Sequence, residues 1–255
     1  MNVLLESRDL SKSYNLGKGN EVPVLKNVDL DIHTGEFVSV MGPSGSGKST
    51  LLYNICGMDR MTSGSVRFEG RELAGLSEKE LAALRLTEMG FIFQHIHLLS
   101  NLTIFDNIVL SGYLTSGKDR HAVDRRAREL MELTGIAHLG RNAVTQASGG
   151  QLQRVGICRA LINEPDILFG DEPTGALDSR SAAEIMELLQ HVNNTGTTIM
   201  LVTHDIKVAS RSERVLFMLD GRITAEKRLG KPEGNGEDAR AREEALTAWL
   251  IEQGL

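Results

Sequence analysis

The chain has 255 residues, 41% of them hydrophobic and 24% charged, with a formal net charge of −6. That is the composition of a soluble globular protein of one large domain or two small ones. The acidic balance excludes a nucleic-acid groove, which needs clustered basic surface; the densest basic run, Arg120–Arg128, is broken by Asp124 and alanines and reads as a solvated helix face.

In chain order, alternating runs at Val3–Leu10, Val24–Ile32 and Glu36–Met41 predict strands, separated by turn residues at Gly17–Asn20 and His33–Gly35. A glycine-rich loop follows Met41, and Lys48–Cys56, free of breakers, predicts a helix. Val66–Glu69 reads as a strand, Glu78–Arg85 as a helix and Gly90–Phe93 as a strand ending at Gln94. From about Asn101 to Leu161 the apolar residues recur at helical spacing, with Val123, Ala127, Leu130 and Met131 forming one stripe. Ile167–Phe169 and Thr198–Val202 have the branched, apolar character of buried parallel strands, with a helix over Arg180–Val192 between them. Val215–Leu219 and Ile223–Glu226, joined at Asp220-Gly221, predict a hairpin.

Alternating strands and helices imply an α/β core with a largely parallel sheet, divided by a helical insertion over about residues 95–161. Leu229–Asp238 reads as a loose linker, and Ala239–Gln253 as a helix with Leu246, Trp249 and Leu250 on one stripe. That helix either docks on the core or meets a partner protein. Cys56 and Cys158 each lie in an apolar segment and read as buried thiols of a reducing compartment. The N-terminal residues lack a leader pattern, and Phe91–Leu110 is interrupted by Gln94, His95, His97, Asn101, Asp106 and Asn107. A cytoplasmic chain is expected, reaching a membrane only through something else.

Gly42-Pro43-Ser44-Gly45-Ser46-Gly47-Lys48-Ser49-Thr50 matches G-x-x-x-x-G-K-[ST] between a predicted strand and a predicted helix. Glycines let backbone N–H groups approach phosphate oxygens, and the helix N-terminus adds its partial positive charge. Lys48 would neutralise the β- and γ-phosphates and the Ser49 hydroxyl would ligate Mg²⁺. Downstream, Ile167–Pro173 ends an apolar strand in two adjacent carboxylates, expected to be buried. Neighbours at a strand end point in different directions, so Asp171 can hold Mg²⁺ while Glu172 acts as general base on water. A phosphate loop alone does not name a reaction. A phosphotransferase would need an acceptor pocket and lid; no arginine-rich lid is visible, and a base beside the metal ligand suits hydrolysis better.

Ala147-Ser148-Gly149-Gly150-Gln151, followed by Arg154, lies about 20 residues before the acidic pair. With the loop and the pair, it makes the chain resemble the ABC transporter ATPases over about residues 3–228. The family motif usually begins Leu-Ser, so Ala147 is the one departure, and Ser148, Gly149, Gly150 and Gln151 remain. The resemblance implies a P-loop (RecA-like) α/β core with a mainly parallel sheet, an N-terminal antiparallel β subdomain and an inserted α-helical subdomain. Residues 1–228 would form this cassette and residues 229–255 the linker and terminal helix. It further implies a head-to-tail dimer with a second copy, in which Ser148–Gln151 of each chain closes the ATP site of the other, and a separate transmembrane permease.

By the same resemblance, Gln94 corresponds to a glutamine that reaches Mg²⁺ and water and senses the membrane partner, and His204 to a histidine contacting the γ-phosphate. Asp178, in Gly175-Ala176-Leu177-Asp178, sits in the loop joining the two sites, and Tyr14 is placed to stack on adenine. Catalysis would rest on Glu172, His204 and Lys48, with Mg²⁺ on Ser49, Gln94 and Asp171. The chain has no heptad-patterned coiled coil and a single phosphate loop, unlike the chromosome-maintenance and translation-associated branches. Gly42–Leu52, Gly90–Gln94, Leu98-Leu99, Leu102-Thr103 and Asp171–Ser179 resemble the group of macrolide-export, lipoprotein-release and bacitracin-type systems, with a lean toward the antimicrobial-peptide branch. A cell-division-type signalling subunit and a P-loop phosphotransferase are the competing readings.

Overall fold

The structure, a computed structural model, describes residues 2–15, 17, 21–233 and 236–254. The turn expected at Gly17–Asn20 therefore lies outside the described residues except for Gly17, as do Gly234 and Asn235 of the expected linker. The elements run β1 (Val3–Asn15), β2 (Glu21–His33), β3 (Phe37–Met41), α1 (Lys48–Ile55), β4 (Ser63–Phe68), β5 (Arg71–Glu72), α2 (Glu78–Thr87) and β6 (Met89–Phe93). They continue with α3 (Ile104–Leu114), α4 (Arg120–Leu133), α5 (Gly149–Leu161), β7 (Ile167–Asp171), α6 (Ser179–Asn194), β8 (Thr198–Val202), α7 (Ile206–Ala209), β9 (Arg214–Leu219), β10 (Arg222–Arg228) and α8 (Gly236–Glu252). Contacts group these into two compact units, residues 1–81 with 198–255, and residues 82–197. Among the described residues no helix is long and apolar enough to cross a membrane.

In the first unit an antiparallel sheet has the order β2-β1-β4-β5. Strands β1 and β2 run further than their apolar patterns predict, because Ser13, Tyr14 and Asn15 pair with Pro23, Val22 and Glu21. Backbone pairing continues there although none of these residues is buried, so no buried–exposed alternation marks it. A bulge interrupts β1 at Asp9, whose φ is 48° and whose N–H donates to Asp29 Oδ1 at 2.8 Å.

Strand β3 lies parallel between β8 and β9, and β10 returns antiparallel to β9. Every residue of β3 and β8 is buried; the apolar run of β8 reads that way in sequence, whereas Glu36–Met41, read as alternating, is instead covered on both faces, with Ser39 between apolar neighbours. The β9–β10 turn has positive φ at both Asp220 (48°) and Gly221 (81°), the type I′ geometry that Asp-Gly favours.

Helix α8 docks on this sheet. Leu246, Trp249 and Leu250 pack with Met41, Ala209, Val215 and Phe217, the Trp249 and Phe217 rings meeting edge to face at 6.2 Å. Of the two readings of the terminal helix, the apolar stripe is thus covered by its own chain. Arg242, also buried, donates to the carbonyls of Ser210 (2.8 Å), Ser212 (2.7 Å), Leu229 (2.9 Å) and Gly230 (3.0 Å).

In the second unit β6 and β7 pair in parallel, Phe93 opposite Asp171. Helix α3 packs on α4 and α5, and α5 packs on β6 and α6. Gly90 permits that approach, since a Cβ there would lie 2.6 Å from the Ala160 carbonyl oxygen. Helix α4 buries the expected stripe of Val123, Ala127, Leu130 and Met131 and turns Arg125 and Arg128 outward. Both cysteines are buried, and burial pushes the Cys158 thiol up to about 12.

Candidate functional site

The loop Gly42–Gly47 leaves the C-terminal end of β3 and opens α1. A Cβ on Gly42 (φ 150°) would overlap the Met218 carbonyl oxygen, and one on Gly47 (φ 101°) would press on Met218 Cε and the Val24 carbonyl, each at 3.1 Å. Glycine is therefore required at both positions by contact with β9 and β2, not only by the turn. Gly47 is the N-cap of α1 and supplies no side-chain cap, and the first turn carries no acidic residue. The positive end of the helix dipole is left for an external anion.

Lys48 bends back over the loop, its Nζ donating to the carbonyls of Gly42 at 2.8 Å and Pro43 at 2.9 Å. Ser46 is buried, with its Oγ lacking a hydrogen-bond partner, while Pro43, Ser44 and Gly45 are exposed and Ser49 and Thr50 half-buried. A cradle of glycines, a lysine and a capless helix N-terminus fits a polyphosphate chain.

Two other expected residues share this unit. Val40 and Val202 are register partners in the parallel pair β3–β8, and the Thr203 N–H donates to the Val40 carbonyl at 3.1 Å. The phosphate loop and His204 consequently emerge at the same sheet edge, where ligands gather in parallel α/β sheets. His204 is exposed and precedes Asp205, which caps α7 by accepting from the Lys207 N–H at 2.8 Å. Tyr14, on β1, is 38% exposed, and its hydroxyl donates to Asp59 Oδ2 at 2.7 Å. Burial and then the Asp59 carboxylate raise the Tyr14 pKa, with the Thr50 hydroxyl, which also bonds Tyr14, acting in the opposite sense. Burial would raise Asp59, but hydrogen bonds from Lys12 and Tyr14 and the Lys12 charge outweigh it, so its pKa is lowered.

In the second unit Asp171 ends β7 and Glu172 follows at φ 49°, a left-handed conformation unusual for a residue with a Cβ. The pair was expected to be buried; both are half-buried, because the strand ends at a surface rather than inside the core. The Gln94 N–H donates to the Asp171 carbonyl at 2.9 Å, and the Gly175 N–H to the Glu172 carbonyl at 3.0 Å. A Cβ at Gly175 would sit 3.1 Å from Gln94 Nε2, so Gln94, Asp171, Glu172 and Gly175 meet at the ends of β6 and β7. Within this unit Asp171 and Gln94 bring oxygen donors to neighbouring strand ends, the donor type a hard cation such as Mg²⁺ takes.

Helix α5 begins at Gly149, where Ser148 and Gln151 close a capping box. A Cβ on Gly150 would meet Ser181 Oγ at 3.1 Å, so the motif abuts the start of α6. There Asp178 caps the helix, accepting from the Arg180 and Ser181 N–H groups at 3.0 Å each and from Ser181 Oγ at 2.7 Å, and its pKa is lowered by the Ser181 hydroxyl and these amides.

Three partners in these arrangements had no sequence signal. Arg159 of α5 donates to the carbonyls of Ile96 at 2.6 Å and His97 at 2.9 Å, gripping the chain beyond Gln94. Lys12 and Asp59 support Tyr14. The contacts of Arg159 with His97, of Asp59 with Tyr14 and of Lys12 with Asp59 join residues far apart in sequence.

The family profile described as ABC transporter matches residues 25–175. The chain belongs to that family. It is 48% identical over 230 residues to the macrolide export ATP-binding/permease protein of Paracoccus denitrificans, covering 90% of this chain and 34% of that protein. The chain thus spans about a third of the length of that relative. It is 44% identical to the bacitracin export ATP-binding protein of Halalkalibacterium halodurans, covering 87% of each. Among solved structures, the dimeric cassette MJ0796 bound to ADP and Pi superposes with a TM-score of 0.79 at 39% identity, covering 88% of this chain and 98% of that one. The ABC family's cassette has the mixed architecture expected: parallel strands, an antiparallel N-terminal sheet and helices. Membership makes this chain an ATP-binding cassette.

Proposed function

We propose that this chain is the ATP-hydrolysing subunit of a membrane ABC exporter, working as a head-to-tail dimer on the cytoplasmic face of a separate permease. The observation that carries the reading is the loop Gly42–Thr50, in which two glycines are required by contact and Lys48 lies over a capless helix N-terminus. The loop binds the phosphates of ATP, Lys48 offsets their charge, and Tyr14 receives the adenine. Ser49, Asp171 and Gln94 are the residues that would hold Mg²⁺, which would supply positive charge to the phosphates. Glu172 accepts the proton of the attacking water and His204 orients it toward the γ-phosphate. Ser148, Gly149 and Gly150 of the second copy complete the γ-phosphate site, and Asp178 links the two sites. The relatives' names speak of macrolide, bacitracin and pyoverdine export, and an exported peptide or amphipathic small molecule is the corresponding cargo.

Hydrolysis measured across a wide range of protein concentration tests the reading. Specific activity should fall steeply on dilution to the monomer. A rate strictly linear in concentration would remove the dimer, and ADP formation that needs a phosphate acceptor would remove the hydrolase.

A further inference from the structure

Tyr14 does not stand alone on β1. Lys12 lies two residues before it, and its Nζ sits over the Tyr14 ring, 4.7 Å from the centroid. The same ammonium donates to Asp59 Oδ1 at 2.7 Å and to the Arg60 carbonyl at 2.6 Å, while Asp59 Oδ2 accepts the Tyr14 hydroxyl at 2.7 Å. One carboxylate therefore holds both ends of a bracket whose third side is the aromatic ring. Lys12 is buried and Tyr14 keeps 38% of its surface open. Asp59 lies just beyond α1, the helix that the phosphate loop opens, and Thr50 in the first turn of that helix also bonds the Tyr14 hydroxyl.

We infer that Asp59 and Lys12 are positioning residues for the nucleotide base, fixing the plane of Tyr14 relative to the phosphate loop. A stacking surface is effective only when its plane is set before the ligand arrives; a freely rotating ring loses that entropy on binding. The bracket sets it, since a hydroxyl clamped at one end and a cation on one face leave a single orientation. The cation also draws the ring's π density toward itself, so the opposite face is less negative toward the π face of a purine. Thr50 ends the loop and Asp59 lies just beyond the helix the loop opens, so the bracket ties the base subsite to the phosphate subsite. The inference rests on the reading that Tyr14 receives adenine.

The test is steady-state hydrolysis of MgATP, with inhibition by magnesium tripolyphosphate, which has no base, measured alongside. Tyr14→Ala should raise KM about tenfold. Asp59→Ala and Tyr14→Phe should each raise it several-fold with kcat little changed, and the double variant Tyr14→Phe/Asp59→Ala no more than the larger single effect. Tripolyphosphate inhibition should be unmoved in all of them. Asp59→Asn, which keeps the side-chain volume, carries the same test should Asp59→Ala not fold, and Lys12→Met should raise KM in the same sense. Multiplicative effects in the double variant, an unchanged KM on losing Asp59, or an equal loss of tripolyphosphate affinity would each overturn the bracket. Unchanged KM in Tyr14→Ala would instead sink the adenine reading beneath it.

Discussion

Ser148 and Gln151 bond each other twice: the Gln151 N–H donates to Ser148 Oγ at 3.3 Å, and the Ser148 N–H donates to Gln151 Oε1 at 2.8 Å. The residues proposed to face a nucleotide across a dimer are therefore the same ones that start helix α5. Ser148→Ala should cost about 1 kcal/mol of stability through the lost cap, measurable by urea unfolding. Ser148→Arg should retain binding of a fluorescent ATP analogue by the monomer yet abolish turnover, because bulk and charge block the exposed face of the motif. Wild-type turnover in Ser148→Arg would exclude the motif from the site.

Glu172 holds a left-handed backbone conformation at φ 49° while carrying a side chain. Such a residue stores about 1 kcal/mol of backbone strain. Glu172→Gly should raise stability by about that amount on thermal unfolding and lose hydrolysis. Glu172→Gln, which keeps shape and removes the base, should bind ATP and dimerise but turn over at least about 100-fold more slowly. Robust hydrolysis by Glu172→Gln would take the general base elsewhere.

Four carbonyls converge on Arg242, and burial is the first influence lowering its pKa. Arg242→Met would leave these acceptors without their charged donor inside the protein, at a cost of about 3 kcal/mol. Trp249→Ala should cost about 3–5 kcal/mol by opening a cavity against Phe217. Chemical denaturation measures both, and a change under 1 kcal/mol in each would mean α8 is only loosely attached.

Cys158 sits under Thr134 with its pKa pushed up to about 12 by burial. A folded-state acid this weak stays protonated while the unfolded thiol ionises near its ordinary value of about 9. Above that value the unfolded state loses the proton first, so stability falls as pH rises between about 9 and 12, by up to about 1.4 kcal/mol per unit. Cys158→Ala should remove that slope from alkaline denaturation. Native protein at pH 8 should also resist maleimide at both buried cysteines and react once unfolded.

Much of the site was legible because its demands act within a few consecutive residues. Phosphate binding needs small residues, a lysine and a helix start in one stretch, so Gly42–Thr50 announces itself, as do Asp171-Glu172 at a strand end and Asp220-Gly221 at a hairpin. Helix α4 was legible from its stripe, and β8 from its branched apolar run. What local chemistry demands, local sequence records.

The tertiary structure decided the rest. Gly42 is required because Met218 lies against it, and the far ends of β1 and β2 exist because they pair with each other rather than because they bury anything. Asp59 meets Tyr14 across 45 positions of chain and Arg159 meets His97 across 62. A hydrogen bond between groups so far apart leaves no periodicity in either segment. It follows from the register of strands and the packing of helices, which only the folded chain sets.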